Sequence, residues 1–222
     1  MTTAFFRQLA AQFSLVLLLF IPIGAAQASA ADTLLVLGDS ISAAYGINEE
    51  QGWVQLLQER LQEKGKKVRV VNASISGETT SGGLTRLPRL MEEHSPRWLI
   101  VELGGNDGLR GYPPQSLQRN LMEMVKLAKN SGVEVLLLGM RIPPNYGRAY
   151  TNAFAAVYPK VAKSEQVGLV PFFLETVALE DGAMQSDGIH PTAKAQPALL
   201  EHVWPCVEFL LAEKSDGESC TP

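Results

Sequence analysis

Residues 33–40 read Thr-Leu-Leu-Val-Leu-Gly-Asp-Ser, an apolar run that stops at a glycine and is followed at once by two small polar residues. A short apolar run bounded by a turn signal is typical of a strand that is buried on both faces of a sheet. Similar runs follow at 68–71, 98–103, 133–138 and 167–170. Together with 33–37, they predict five buried strands.

Between these runs, apolar residues recur at the spacing of an amphipathic helix. The three clearest stripes are Trp53, Leu56, Leu57 and Leu61; Leu117, Leu121, Met124 and Val125; and Tyr150, Phe154, Val157, Tyr158 and Val161. A last helix is predicted over 192–214, broken or bent at Pro197 and Pro205, because a proline removes a backbone donor. This alternation predicts one α/β domain with a flavodoxin-like, three-layer α/β/α fold and a five-stranded parallel sheet in the order 2-1-3-4-5.

The first thirty residues differ from the rest of the chain. Arg7 is their only charged residue, an apolar run follows over 13–23, and Ala28-Ser29-Ala30 supplies small residues at the end. This order is typical of a secretory signal peptide cut before Ala31. An uncleaved anchor is the alternative, although the apolar run is shorter than the ~20 residues that span a bilayer. We predict a signal peptide at 1–30, a folded domain at 31–213 and a polar tail at 214–222.

The composition excludes some classes of protein. The 222 residues carry a formal net charge of -4, whereas a nucleic-acid binder is usually basic, so no nucleic-acid partner is expected. Two cysteines are too few for a disulfide scaffold or a zinc ribbon. In an exported protein, Cys206 and Cys220 could form a disulfide, or Cys206 could be a buried helix residue and Cys220 a free thiol; the sequence leaves both open.

Small polar residues and glycines follow the predicted strands. The segments are Gly38-Asp39-Ser40, Ser74-Ile75-Ser76-Gly77-Glu78, Gly104-Gly105-Asn106-Asp107 and, after the fifth strand, Ser186-Asp187-Gly188-Ile189-His190-Pro191. In an open parallel sheet, ligands bind beyond the carboxyl ends of the strands. These loops are therefore where a reaction is expected.

Ser40 is a candidate nucleophile if a base lies close to it. His94 reads as a solvated loop residue and His202 as a packing or surface residue of the last helix, whereas His190 has an acid, Asp187, three positions earlier. Asp187 could accept from one imidazole nitrogen and leave the other for Ser40. Two structural alternatives remain open: Asp39 or Ser40 only caps the next helix, and Asp187 only forms an Asx turn.

An acyl transfer also needs hydrogen-bond donors for the developing oxyanion. The Asn106 side-chain amide and the Gly77 backbone N–H are candidates, because the order 2-1-3 would place their loops beside that of Ser40. In the alternative interpretation, Asn106-Asp107-Gly108 forms a turn and Gly77 only supplies an unusual φ.

The four loop segments, in this order, resemble the marker blocks of the SGNH (GDSL-type) serine hydrolases. The blocks read Gly38-Asp39-Ser40, Ser76-Gly77-Glu78, Gly104-Gly105-Asn106-Asp107 and Asp187-Gly188-Ile189-His190-Pro191. The resemblance implies Ser40 as the nucleophile, His190 as the base and Asp187 as the orienting acid, with Ser40, Gly77 and Asn106 as the oxyanion donors. Ile41 stands where the family name has Leu, an apolar exchange that leaves these roles intact.

Further segments, such as 101–111 and 144–148, resemble a bacterial periplasmic subgroup of this family. That likeness implies fatty-acyl thioester and ester substrates, including aryl esters and lysophospholipids, and a mobile loop from Gly108 to Pro113 that closes over acyl chains. We also expect a monomer with no cofactor, no metal and no stable membrane insertion after loss of the signal peptide, located in the periplasm or secreted. The loops nearest the site suggest an apolar cleft lined by Leu109, Tyr112, Ile142, Pro143 and Tyr146.

Three competing interpretations remain. The same site could serve a carbohydrate O-deacetylase, which would need an open polar cleft. The sheet could instead belong to a non-catalytic periplasmic binding domain. A metal enzyme that uses Asp39, Asp107, Asp187 and His190 ranks last, because these acids lack short-range ligand spacing and only one histidine lies near them.

Overall fold

The computed structural model describes residues 31–212 and Cys220. The signal peptide predicted at 1–30 and nearly all of the tail predicted at 214–222 lie outside the described residues. The strands are β1 (Asp32–Gly38), β2 (Val68–Asn72), β3 (Trp98–Glu102), β4 (Glu134–Leu138) and β5 (Gly168–Val170). The helices are α1 (Trp53–Glu63), α2 (Thr80–His94), α3 (Gly105–Leu109), α4 (Pro114–Asn130), α5 (Arg148–Ala155), α6 (Val157–Glu165) and α7 (Gln196–Leu211).

The strands form one parallel sheet in the order β2-β1-β3-β4-β5, which confirms the predicted fold. Helices α1 and α7 pack together on one face, while α2, α4 and α6 pack in a row on the other, giving three layers. The central strands β1 and β3 are buried along almost their whole length. Parallel strands covered on both faces are therefore continuous apolar runs, as the sequence indicated. The edge strand β2 is only partly buried and its Arg69 is exposed, so the prediction of a buried strand at 68–71 was wrong.

Two helical predictions were wrong in detail. The stripe from Tyr150 to Val161 belongs to two helices, α5 and α6, which meet at Ala156. The last helix begins at Gln196 and ends at Leu211, inside the predicted bounds. Pro197 lies in the first turn, where a backbone N–H has no partner within the helix, so it does not break α7. The helix also continues through Pro205, so the predicted break there was wrong.

The two cysteines are joined: Cys206 on α7 and Cys220 form a disulfide with their Cα atoms 5.3 Å apart. Cys220 also accepts a 3.0 Å hydrogen bond from the Leu169 N–H of the edge strand β5. The bridge therefore fastens Cys220 to α7, and the hydrogen bond fastens the same residue to the edge of the sheet. Within residues 31–212, no helix has both the length and the hydrophobicity of a membrane span.

Candidate active site

The structure brings Ser40, His190 and Asp187 into one hydrogen-bonded chain. His190 Nε2 lies 2.8 Å from Ser40 Oγ, and His190 Nδ1 lies 2.6 Å from Asp187 Oδ2. The serine follows β1, whereas His190 and Asp187 come from the segment between β5 and α7. Ser40 and His190 are therefore 150 positions apart in the sequence. This order of alcohol, imidazole and carboxylate is the geometry of a nucleophile, its base and an orienting acid.

Asp187 also shapes the turn that carries His190. Its Oδ1 accepts hydrogen bonds from the backbone N–H groups of Ile189 (2.9 Å) and His190 (3.0 Å), and Gly188, which directly follows Asp187, has φ +67°. The expected Asx turn is thus present, and it leaves Oδ2 free for the imidazole. The hydrogen bond from His190, followed by the two backbone donors, lowers the pKa of Asp187 to about 2. Asp187 therefore stays ionised at any pH at which the protein would work.

Gln185 fixes the His190 loop against the loop that follows Ser40. Its Nε2 donates to the carbonyl oxygens of Tyr45 (2.8 Å) and Pro191 (3.1 Å), and its backbone N–H donates to His190 O (2.7 Å). The Tyr45 ring lies against the imidazole with 4.6 Å between centroids. Neither Gln185 nor Tyr45 was predicted from the sequence, because no local pattern marks them.

The backbone after β1 turns tightly around Ser40. Asp39 Oδ1 accepts from the Ile41 N–H at 3.0 Å, and Tyr45 N–H donates to Ser40 O at 3.0 Å. Asp39 therefore closes an Asx-type turn, while Ser40 Oγ faces His190. Residues 40–46 form turns, and the next helical segments begin after Asn48 and Gly52, so the alternative that Asp39 or Ser40 caps the next helix was wrong.

The three candidate oxyanion donors follow the neighbouring strands β1, β2 and β3. Gly77 has φ +80°, a backbone conformation that side-chain-bearing residues rarely adopt, and its carbonyl accepts a 3.1 Å hydrogen bond from Arg110. Asn106 lies in the first turn of α3, not in an open turn. Its Nδ2 lies 3.2 Å from Asp39 Oδ2.

A second buried acid, Glu102, lies beneath the loop that carries Asp39 and Ser40. Glu102, the last residue of β3, is fully buried, and its Oε2 accepts from Ser42 Oγ (2.7 Å) and from the Asp39 N–H (3.3 Å). Trp53 Nε1 in turn donates to Ser42 Oγ at 3.1 Å. Burial raises the pKa of Asp39 to about 6, and burial with the Asp39 charge raises the pKa of Glu102 well above its usual range. Glu102 was not predicted as part of the site, although a charged residue at the end of an apolar strand is a sequence signal for such a buried hydrogen-bond network.

Asp107 serves the scaffold. Its carboxylate accepts from the Thr80 N–H (2.9 Å) and the Thr80 hydroxyl (2.5 Å) at the start of α2, and Asn120 donates to the same hydroxyl. Asp107 thereby fastens α2 to α3. Within the described residues, no group of three His, Cys, Asp or Glu side chains is arranged to hold a metal ion.

The predicted cleft residues lie in two loops that touch each other. Tyr146 Oη donates to Leu109 O at 2.8 Å, while Tyr112 is 44% and Tyr146 36% exposed, and Pro143 is exposed as well. Ile142 is only 8% exposed, because it packs beneath Gly108. Ile142 therefore supports α3 and presents little surface to a ligand in this conformation.

The loop expected from Gly108 to Pro113 is partly helical, since Gly108 and Leu109 complete α3. Residues 110–113 are exposed, and the Tyr150 hydroxyl donates to Tyr112 O at 2.7 Å. Closure of this loop over acyl chains stays a prediction.

The other two histidines lie outside the site. His94 is the last residue of α2 and half-buried, so the prediction of a solvated loop was wrong; Ser95, at φ 43°, ends the helix one residue later. His202 lies in α7 with Nε2 3.0 Å from Phe172 O, as expected of a packing residue.

Known proteins with similar sequences and structures show the family of this chain. The model of the GDSL-like lipase/acylhydrolase family matches residues 36–197. Esterase TesA from Pseudomonas aeruginosa is 58% identical over 185 residues, covering 83% of this chain and 92% of that protein. The thioesterase 1/protease 1/lysophospholipase L1 of Escherichia coli K12 is 50% identical over 183 residues, 82% of this chain and 86% of the relative. A crystal structure of TesA superposes with a TM-score of 0.79 at 58% identity, covering 81% of this chain and all (100%) of the other. This chain belongs to the GDSL-like lipase/acylhydrolase family.

Proposed function

We propose that this protein is a serine hydrolase that cleaves fatty-acyl thioesters and esters through an acyl-serine intermediate. The observation that carries the proposal is the chain from Ser40 Oγ through the imidazole to Asp187, with contacts of 2.8 and 2.6 Å. Both contacts are within hydrogen-bond range, so proton transfer needs no rearrangement of the site. The names of the relatives, an esterase and a thioesterase/lysophospholipase, indicate the same chemistry.

The first step forms the acyl-enzyme. His190 Nε2 takes the proton of Ser40 as its oxygen attacks the acyl carbonyl, and the ionised Asp187 stabilises the imidazolium through Nδ1. The negative charge that develops on the carbonyl oxygen is received by the Ser40 and Gly77 N–H groups and the Asn106 amide. The tetrahedral intermediate collapses, and His190 protonates the departing alcohol or thiol.

The second step repeats the first with water as the nucleophile. His190 removes a proton from water, which attacks the acyl carbonyl on Ser40, and the collapse of the second intermediate returns the proton to the serine. A free acid is released and the site is restored. Because every proton passes through the same imidazole, Ser40 and His190 are both indispensable.

Exposed apolar side chains around the site support an acyl substrate. Tyr45, Ile75, Tyr112, Tyr146 and Ile189 are five of the six exposed large hydrophobic residues of the described chain, and all lie in loops at the carboxyl edge of the sheet. Apolar surface concentrated at one place is typical of a binding site. A carbohydrate O-deacetylase would require a polar rim instead.

We further propose that the protein is exported to the periplasm as a monomer after loss of residues 1–30. The basic start, apolar core and Ala28-Ser29-Ala30 support cleavage before Ala31. Amino-terminal sequencing of the protein recovered from a periplasmic extract tests this; a chain that still begins at Met1 would contradict it.

Covalent labelling tests the catalytic proposal. A fluorophosphonate probe should modify Ser40, identified by peptide mapping, and Ser40→Ala should abolish both labelling and hydrolysis. A matched variant, Ser81→Ala, changes an exposed serine on α2 and should leave both unchanged. Rates on acyl esters of two to sixteen carbons then separate a fatty-acyl esterase from a deacetylase, which would act only on the shortest chain. Labelling elsewhere, or hydrolysis that persists in Ser40→Ala, would refute the mechanism.

A further inference from the structure

The Asn106 amide makes a contact that the reaction itself does not require. Its Nδ2 lies 3.2 Å from the Oδ2 of Asp39, a side chain that is only 2% exposed. An amide nitrogen carries two hydrogens. If one is held by Asp39, the other has a defined direction, and this is the hydrogen that an oxyanion would receive.

The orientation of a side-chain amide is otherwise poorly determined. The torsion that turns the amide of an asparagine is broad and roughly two-fold, so its oxygen and nitrogen can exchange places at little cost. With the oxygen turned toward the oxyanion, Asn106 would repel the charge that it is meant to stabilise. A neighbouring group that only accepts hydrogen bonds removes this ambiguity.

Asp39 is such a group and is itself held in place. Its Oδ1 accepts from the Ile41 N–H at 3.0 Å, and its own N–H donates to Glu102 Oε2 at 3.3 Å. The carboxylate is therefore held at Oδ1 and the backbone of the same residue at its N–H, and Oδ2 remains for Asn106. Ionised carboxylate oxygens cannot donate, so only the nitrogen of Asn106 can face Asp39.

We propose that Asp39 is a positioning residue that keeps the Asn106 amide turned with its nitrogen toward the oxyanion. The inference rests on the proposed function, and it gives Asp39 a role in the reaction without contact with the substrate. It also explains why an acid is kept in a buried position beside the nucleophile, where a neutral residue would be easier to accommodate.

The groups around Asp39 determine when it can act. Glu102 and Asp107 are acids on neighbouring elements, Tyr158 lies on α6, and His190 is the one group here that favours the ionised form by its charge. Burial raises the pKa of Asp39 to about 6, so the carboxylate is the dominant form above that pH. A protonated Asp39 could donate to the Asn106 oxygen and turn the amide over.

The test is a double-mutant cycle between Asp39→Asn and Asn106→Ala. Asp39→Asn keeps the volume and the acceptor for the Ile41 N–H, but it presents an NH₂ group to Asn106, which must then offer its oxygen. We expect kcat of this variant to fall by on the order of 10²–10³, as when an oxyanion donor is removed, with KM within about twofold. The double variant should be no slower than Asn106→Ala alone, because Asp39 acts through that amide.

Ser42→Ala is the matched control. It removes buried hydrogen bonds to Glu102 and from Trp53 without touching Asn106. Whatever loss it causes should multiply with that of Asn106→Ala. If Asp39→Asn keeps kcat within threefold of the unmodified protein, or if its loss also multiplies with that of Asn106→Ala, the role assigned to Asp39 is wrong.

Two further measurements keep the result interpretable. Should Asp39→Asn fail to fold, Asp39→Ala replaces it in the same cycle, because it also leaves the Asn106 amide without the acceptor that holds its nitrogen; a loss of kcat that multiplies with that of Asn106→Ala overturns the proposal. Hydrolysis that is lost in Ser40→Ala but unaffected in Asp39→Asn rejects only the positioning role. Hydrolysis that persists in Ser40→Ala rejects the proposed function itself.

Discussion

Replacing Asp187 by Asn should stop proton transfer while leaving the architecture of the site in place. Asp187 accepts three hydrogen bonds: two on Oδ1 from the Ile189 and His190 N–H groups, and one on Oδ2 from the imidazole. An asparagine oxygen can keep the first two. Its NH₂ group must then face Nδ1, which is satisfied only when Nδ1 is unprotonated. The ring proton moves to Nε2 and points at Ser40, so the base is lost.

The size of the effect follows from that change in tautomer. In serine hydrolases with this arrangement, exchanging the acid for its amide lowers kcat by about 10⁴, or about 5.4 kcal/mol of barrier. The turn bonds survive, so we expect the same order of loss here with little change in unfolding temperature. A structural role for Asp187 would give the opposite result: a lower unfolding temperature and a modest loss of rate.

Steady-state hydrolysis of a short p-nitrophenyl ester measures the effect, with thermal unfolding followed in parallel. Asp181→Asn, an exposed acid in the same segment, is the control and should stay within twofold of the unmodified protein. Activity of Asp187→Asn within tenfold of the unmodified protein would refute the assignment of Asp187 as the orienting acid.

Three other outcomes are expected. Replacing Cys206 and Cys220 by serine should lower the free energy of unfolding by up to about 3 kcal/mol in urea titrations, since the bridge joins residues with a sequence separation of 14. An unchanged midpoint of unfolding would contradict this prediction. Folding raises the pKa of Asp39 from 3.8 to about 6, so ionisation of this buried carboxyl lowers the free energy of unfolding as pH rises from about 4 to 6. Asp39→Asn removes this effect, so the stability that the variant gains over the unmodified protein should be larger at pH 7 than at pH 4 by up to about 3 kcal/mol. Equal stability changes at both pH values would argue against this prediction. Tyr146→Phe removes the hydrogen bond to Leu109 O and should raise KM about fivefold for long acyl chains but not for acetyl esters, since one such hydrogen bond contributes ~1 kcal/mol. Tyr112→Phe is the control and should change KM for neither kind of ester.

The fold was predictable because burial on both faces leaves a strong trace in sequence. Strands β1 and β3 are almost wholly buried, and their runs of Leu, Val and Ile are unmistakable. The limits of the helices were less accessible. The stripe from Tyr150 to Val161 keeps helical spacing through the junction at Ala156, so periodicity alone cannot distinguish two short helices from one.

The meeting of the candidate site residues was predictable for a different reason. Parallel strands end at one edge, and the segments after β1, β2 and β3 each begin with residues able to bind or react. Hydrophobic periodicity cannot predict which side chain lies beneath the loop after a strand. The pairing of Gly38 with Glu102 across β1 and β3 places that acid under Asp39, but the pairing is known only once the register is known. The disulfide stayed open for the same reason, since it depends on a distance.

The two acids nearest the reacting serine show how one fold gives carboxylates different tasks. Asp187 is exposed and held by three donors, so its pKa falls to about 2 and it remains an anion beside the imidazole that must become positive. Asp39 is buried, above Glu102, and its pKa rises to about 6. An anion held there opposes folding and also repels the oxyanion, so a carboxylate at 39 is reasonable only if its effect on the direction of the Asn106 amide outweighs that repulsion. In the proposed mechanism, the Asn106 amide lies between Asp39 and the developing oxyanion. Because Asp39 already holds the amide nitrogen, the amide dipole needs no reorientation when the negative charge develops.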